Sequence, residues 1–154
     1  MSDDNFDGLK LENQLCFPLY ACAKEVVHAY KPFLDKLDLT YTQYIAMMVL
    51  WERKSCSVKE LGDILYLNSG TLTPLLKKLE AKGYIERNRS TSDERLLIVS
   101  LTQKGEELKT KAADVPVSVG SCIRLSKQEA ENLYMLLYKV LHLLKTGEDE
   151  KAEI

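Results

Sequence analysis

SVKELGDILYLNSGTLTPLLKKLEAKGYIERNRSTSDERLLIVSLT, residues 57 to 102, divides into two helical patterns and a hairpin pattern. Ser57 and Glu60 have the S-x-x-E spacing of a capping box, in which each side chain satisfies a backbone NH that the first helical turn leaves unpaired. A helix is predicted from there through Val58, Leu61, Ile64 and Leu65. Asn68 is a good N-cap for a second helix, which continues past Leu72, Leu75, Leu76 and Leu79 and stops at Gly83. Only Tyr66 and Leu67 lie between the two. Helices joined so tightly, the second opening on Ser69, Gly70, Thr71 and Thr73, fit a helix-turn-helix whose second helix offers its N-terminal end to base edges.

The continuation supplies a wing. Tyr84 to Arg89 and Leu96 to Leu101 are short runs rich in β-branched and apolar residues, separated by the turn formers Ser90, Thr91, Ser92, Asp93 and Glu94. Arg87, Arg89 and Arg95 lie on or beside the hairpin, where a guanidinium can reach a phosphate or enter a narrow minor groove. A solvated hairpin would carry such charges too. Their position directly after a recognition-helix pattern is what points to DNA.

The charge balance is compatible with that reading without announcing it. The formal net charge is -2, so there is no global basic field. Between Leu76 and Arg95, Lys77, Lys78, Lys82, Arg87, Arg89 and Arg95 stand against Glu80, Glu86, Asp93 and Glu94, a local excess of two positive charges. A dimer would double this patch and set two recognition helices about one DNA turn, roughly 34 Å, apart.

The flanking segments are too apolar to be covered on one side only. Residues 11–37 carry Leu11, Leu15, Leu19, Val26, Val27, Tyr30, Phe33, Leu34 and Leu37. In the C-terminal stretch Ser126 and Glu129 repeat the capping-box spacing, and Leu133, Leu136, Leu137, Val140, Leu141, Leu143 and Leu144 wrap most of the helix circumference. Packing both segments against their copies in a second subunit is the economical solution, and a two-fold dimer matches a pseudo-palindromic operator on double-stranded DNA. A large intramolecular core is the alternative. Thr40 and Gln43 cap a helix that runs through Met47, Leu50 and Trp51 and connects the two regions.

The expected fold is therefore mainly α with a small β-hairpin wing: one domain of 154 residues, with a winged helix-turn-helix at about 40–102 and terminal helices at 11–37 and 102–146 forming a dimerisation layer. Residues 1–8 and 147–154 are polar and expected to fray. No long apolar segment or signal-like N-terminus is present, so a cytoplasmic protein with no membrane partner is expected, its four cysteines kept as thiols. His28 and His142 are isolated, and no metal-ligand spacing or Gly-rich phosphate loop occurs, so no metal, cofactor or enzymatic role is expected.

Asp93-Glu94-Arg95, five residues, then Leu101-Thr102 resembles the D-x-R-x5-L-T wing signature of MarR-type winged-helix repressors. Leu11-Glu12-Asn13-Gln14-Leu15-Cys16-Phe17 and Tyr66-Leu67-Asn68-Ser69-Gly70-Thr71-Leu72-Thr73-Pro74 are similar to the peroxide-sensing branch, the organic-hydroperoxide resistance regulators. The resemblance covers nearly the whole chain. It implies a homodimeric repressor that releases DNA when a cysteine of the first helix, here Cys16, is oxidised by an organic hydroperoxide. It implies that Asn68, Ser69, Thr71, Thr73, Lys77 and Lys78 face DNA, that Arg95 is the minor-groove finger and that Asp93 holds the hairpin geometry.

For Cys16 the residues leave two readings open. Free cysteine on an apolar helix commonly packs as an inert small hydrophobe. However, Tyr20 is four residues on and shares its helical face, while Tyr30, fourteen residues on, lies roughly 21 Å along the axis and can meet Cys16 only across a dimer. Tyr41, at the next helix start, could join it there. The resemblance implies that tyrosine hydroxyls donate to the thiolate, the species that attacks a peroxide oxygen. Pro18 either kinks this helix or opens it. Cys22 is about 9 Å from Cys16 along one helix and points away from it, beyond disulfide reach. Two-cysteine members of the family close an intersubunit disulfide from a region comparable to Cys122, and one-cysteine members trap a low-molecular-weight thiol. Two other classes compete: a repressor of this fold answering a small phenolic ligand, and a thiol peroxidase.

Overall fold

A computed structural model describes residues 3–146, with side chains from Phe6 onward. Its elements are α1 (Cys16–Leu34), α2 (Tyr41–Arg53), β1 (Ser55–Ser57), α3 (Val58–Leu65), α4 (Ser69–Ala81), β2 (Ile85–Arg89), β3 (Leu97–Leu101), α5 (Gln103–Ala112), α6 (Val115–Ile123) and α7 (Lys127–Thr146), with short 3-10 turns at Asp3–Leu9, Leu11–Asn13 and Asp35–Leu37. The chain groups into two units, residues 1–119 and 120–154.

The first unit is a winged helix, and its local chemistry is the one expected. Ser57 Oγ accepts from the Glu60 NH at 3.1 Å and Glu60 Oε2 accepts from the Ser57 NH at 2.8 Å. Thr40 and Gln43 make the same reciprocal cap on α2, and Asn68 Oδ1 accepts from the Thr71 NH at 2.9 Å to start α4. Tyr66 ends α3 in the left-handed conformation, φ 57. The turn it makes is tight enough that a Cβ on Gly62 would sit 2.7 Å from the Leu67 carbonyl oxygen. At the other end Gly83, φ 76, passes α4 into β2, and its NH and that of Tyr84 satisfy the carbonyls of Glu80 and Leu79.

Three strands form the sheet, in the order β1-β3-β2, all antiparallel. Val99, fully buried, is the centre, facing Cys56 on one side and Arg87 on the other. β1 was not expected from the sequence. Three residues are too few to show a period of two, and they become a strand only because β3 offers them hydrogen bonds. The two hairpin strands are one residue shorter than expected at their Tyr84 and Leu96 ends. Beneath the sheet lies one core to which α1 contributes Leu34, α2 Ala46, Met47, Leu50 and Trp51, α3 Leu61, α4 Leu72, Leu75, Leu76 and Leu79, and α5 Leu108. Trp51 Nε1 donates to the Gly105 carbonyl at 2.8 Å. At that position a Cβ would lie 2.1 Å from the Tyr84 carbonyl oxygen, so only glycine fits between α5 and the start of the wing.

Other boundaries differ from expectation. Residues 11–37 are not one helix: α1 spans only Cys16–Leu34, between the 3-10 turns Leu11–Asn13 and Asp35–Leu37. No side chain caps its start, and Asp38 ends the segment in the left-handed region, φ 53. Pro18 is the third helical residue, within the first turn, where a missing NH costs no intrahelical bond. Of residues 1–8, expected to fray, those described lie in the 3-10 turn Asp3–Leu9, while 147–154 fall outside the described residues. The C-terminal region is three helices, interrupted at 113–114 and at 124–126, where Arg124 has φ 54.

Each unit keeps an apolar face outward. Leu15, Phe17, Leu19 and Val27 are exposed on the first unit. In the second, α7 starts at the Ser126–Glu129 cap expected and buries none of its residues, exposing Leu133, Leu136, Leu137, Val140, Leu141 and Leu144. Among the described residues no helix is long and apolar enough to cross a membrane.

Gly105→Ala should lower the unfolding free energy by about 3 kcal/mol, the upper end of overpacking costs, read as a reduced urea midpoint with an unchanged m-value. A variant as stable as the parent would show that the Trp51–Gly105–Tyr84 contact has room for a side chain.

Candidate nucleic-acid interface and thiol site

α4 is two-sided because its leucines recur at 72, 75, 76 and 79 and are all buried, which leaves one polar stripe outward. Ser69, Thr71, Thr73, Lys77 and Lys78 are exposed on that stripe. Asn68 is exposed beside them, with its carbonyl oxygen committed to the cap. Small hydroxyl side chains at the N-terminal end and lysines farther along give a surface that can approach base edges first and phosphates second.

The wing loop is held by its own backbone. Ser90 NH donates to the Leu96 carbonyl at 2.8 Å and Leu96 NH to the Asp93 carbonyl at 2.9 Å. Asp93 Oδ1 accepts from the Arg95 NH at 3.0 Å, an Asx turn that sets where Arg95 leaves the loop. Arg89 Nη1 donates to the Glu94 carbonyl at 3.1 Å, stiffening the opposite side. Arg89 and Arg95 are both exposed. Arg87 is placed differently from the other two. Its Nη2 and Nε lie 2.5 and 3.0 Å from Glu80 Oε2, and its side chain is 18% exposed. That hydrogen bond from Arg87 holds the Glu80 carboxyl below the usual carboxylate range. Glu80 went unnoticed in the sequence, where it is one acid among lysines. Lys82, at the end of α4, reaches back to Asp38 Oδ2 at 2.9 Å and so joins the recognition helix to the segment that follows α1.

Cys16 is the first residue of α1 and is exposed, as is Tyr20 one turn on. Cys22 is exposed on the same unbroken helix. Cys56 is buried in β1, and burial, then the nearby Glu60 carboxylate, raises its thiol above the ordinary value, with Arg53 opposing, which lowers its thiolate fraction. Cys122 is exposed near the end of α6.

Tyr30 and Tyr41, paired from the sequence as candidates to meet a thiol, do come together: their ring centroids are 4.9 Å apart. Sequence reasoning missed the third member, Tyr44, 5.8 Å from Tyr30 and edge-on to Trp51 at 6.1 Å. Its spacing of three from Tyr41 was the available signal. Burial raises the pKa of all three phenols, with their mutual proximity adding to it for Tyr30 and Tyr44. All three therefore keep their protons at neutral pH. Tyr30 and Cys16 share one continuous helix, fourteen residues or about 21 Å apart, so no single chain brings them into contact. Beside this cluster a groove of about 630 Å³ runs between α1 and the start of α2, lined by Lys24, His28, Lys31, Leu39 and Tyr41 among others.

Comparison with known proteins agrees with this geometry. A family model described as transcriptional regulator SarA/Rot matches residues 28–112, the segment from late α1 through the wing to α5. An organic hydroperoxide resistance transcriptional regulator of Bacillus subtilis is 51% identical over 144 residues, covering 94% of this chain and 96% of that one. The structure of reduced AbfR bound to DNA, a protein of Staphylococcus epidermidis, has a TM-score of 0.74 at 34% identity, covering 93% of this chain and 99% of the other. Disulfide-formed AbfR, also at 34% identity and covering 92% and 99%, has a TM-score of 0.61. By identity along nearly its whole length and by the winged helix that its capped helices build, the chain belongs to the SarA/Rot family of transcriptional regulators, MarR-type winged-helix proteins, in the branch of the organic hydroperoxide resistance regulators.

Proposed function

We propose that the chain is a homodimeric, cytoplasmic repressor that holds a pseudo-palindromic operator in its reduced state and releases it when Cys16 is oxidised by an organic hydroperoxide. The observation that carries this reading is an exposed thiol at the first turn of α1 in a chain half identical to an organic hydroperoxide resistance regulator. A second copy would cover the outward apolar residues of α1 and α7. In an antiparallel crossing of the two first helices, the partner's Tyr30 and Tyr41 would approach Cys16 and donate to its thiolate.

The chemistry is a two-electron oxidation of sulfur. The Cys16 thiolate attacks the terminal oxygen of ROOH and the O–O bond breaks. The departing alkoxide takes a proton and leaves as ROH, and sulfur keeps oxygen as sulfenic acid. Condensation with a second thiol expels water and forms a disulfide. Cys122 of the other subunit or a low-molecular-weight thiol is the partner we favour, because Cys22 lies on the same rigid helix as Cys16 and Cys56 is buried. The oxidised sulfur no longer accepts hydrogen bonds from tyrosine, the packing of α1 changes, and the population shifts toward a dimer whose two recognition helices cannot engage both half-sites. On the DNA, Asn68, Ser69, Thr71 and Thr73 face base edges, Lys77 and Lys78 face phosphates, and Arg95 enters the minor groove with Arg89 alongside. The groove beside Tyr41 would suit a small phenolic inducer instead. Loss of operator affinity on adding a phenol, with none on adding peroxide, would favour that second reading.

Two outcomes test the proposal on a duplex that the wild-type protein selects from a random pool. Cys16→Ser should bind that duplex as the wild type does and stay bound after cumene hydroperoxide, measured by fluorescence anisotropy. Release of this variant by peroxide would remove Cys16 as the sensor. Arg95→Ala should weaken binding at least tenfold, about 1–3 kcal/mol per half-site, and flatten the salt dependence by about one per wing. An unchanged salt slope would place Arg95 away from the DNA.

A further inference from the structure

We propose that Glu80 and Arg87 are positioning residues, whose ion pair fixes the angle between the recognition helix and the wing so that one subunit can meet a major and a minor groove together. This rests on the DNA-binding reading above and assigns Arg87 a different task from the other wing arginines.

Glu80 is on the last turn of α4, next to Leu79, which is fully buried. Arg87 is the middle residue of β2, opposite the fully buried Val99. Both backbones are thus anchored in the core, on either side of the turn at Gly83, whose positive φ belongs to a residue with wide backbone freedom. The Glu80 carboxylate closes that turn at three points. Oε2 accepts from Arg87 Nε at 3.0 Å and from Nη2 at 2.5 Å, and Oε1 accepts from the Arg87 backbone NH at 3.1 Å. β2 is an edge strand, so this NH points away from the ladder and Glu80 supplies an acceptor that no strand does.

Leverage makes the angle matter. From Glu80 to Ser69 is eleven residues, about 16 Å of helix. From Arg87 outward the wing extends on the order of 10 Å. A rotation of about 10° at the turn would displace either end by roughly 2–3 Å, which exceeds the whole range of hydrogen-bond distances. Base contacts and the Arg95 contact would then not be made together.

Arg87 is a poor phosphate ligand as placed. Its side chain is largely covered and its charge is matched by Glu80. Simple electrostatics and the positioning role therefore predict opposite signs for Glu80→Gln. Deleting a negative charge beside a DNA surface and releasing Arg87 should tighten binding if only charge counts. If the pair sets the angle, binding should weaken.

The experiment measures anisotropy on the selected duplex across a salt series, with hydroxyl-radical footprints, for wild type, Glu80→Gln, Arg87→Glu and the exchanged pair Glu80→Arg/Arg87→Glu, all reduced. The expected result is a loss of roughly tenfold in Glu80→Gln, the scale of a lost charge-assisted hydrogen bond. Protection should fade at the minor-groove flanks and persist at the half-site centres, and the exchanged pair, which restores the side-chain ion pair but not the acceptor for the residue-87 backbone NH, should bind more tightly than Arg87→Glu alone. Equal or tighter binding by Glu80→Gln, uniform loss of protection, or an exchanged pair as weak as Arg87→Glu alone would each overturn the proposal. Should Glu80→Gln melt well below the wild type, the exchanged pair and its footprint decide by themselves. A wild type that selects no duplex fails the DNA-binding reading itself, and positioning falls with it; a wild type that binds while Glu80→Gln binds as well fails positioning alone.

Discussion

Leu72, Leu75, Leu76 and Leu79 lie on one face of α4 and are buried in the common core, where α4 packs against α2, α3 and β2. Every outward property of the helix follows from that burial. Each residue turns the helix by about 100°, so a shift of one position would drive a threonine or lysine into the core and bring a leucine to the surface. The cost of burying an unpaired polar group exceeds what any single surface contact returns. The helix is also blocked along its axis. Tyr66 has already taken the left-handed conformation, and Leu67 lies so near Gly62 that no side chain fits between them. Rotation and translation are both fixed, and the polar stripe points where the core leaves it.

The same core carries a physical connection from α1 to α4 and the wing. α1 ends on the buried Leu34 and continues through Leu37 to Asp38, whose carboxylate meets Lys82 at the end of α4. In parallel, Tyr30 packs on Tyr41 and Tyr44, Tyr44 meets Trp51, and Trp51 donates to Gly105 at the foot of the wing. Densely packed cores shift between discrete arrangements rather than deforming smoothly. A change in the packing of α1 therefore has two routes to α4 and the wing, one through an exposed ion pair and one through aromatic contact.

Charge adds less than the residue count suggests. Of the cations between Leu76 and Arg95, Lys82 and Arg87 are engaged by Asp38 and Glu80. Exposed Lys77, Lys78, Arg89 and Arg95 are the outward positive set. Affinity for DNA from so small a patch depends on presenting these groups in register, twice over, and a rigid wing loop and a second copy are the means at hand.

The helix starts and stops, set by residues three or four apart, were legible in the sequence. The capping boxes at Ser57, Thr40 and Ser126, the N-cap at Asn68 and the stop at Gly83 all stand in the structure where their spacing put them, because a cap is satisfied within one helical turn. The family signature in the wing was readable as a pattern of residues, by resemblance. Four features came only from tertiary structure: β1, which exists by pairing with a strand more than forty residues later; the Glu80 partner of Arg87; Tyr44 beside Tyr30; and the glycine that Trp51 requires at position 105. Local patterns record what a segment can form alone, whereas partners and close approaches are chosen by the way the core closes, and that depends on the whole chain at once.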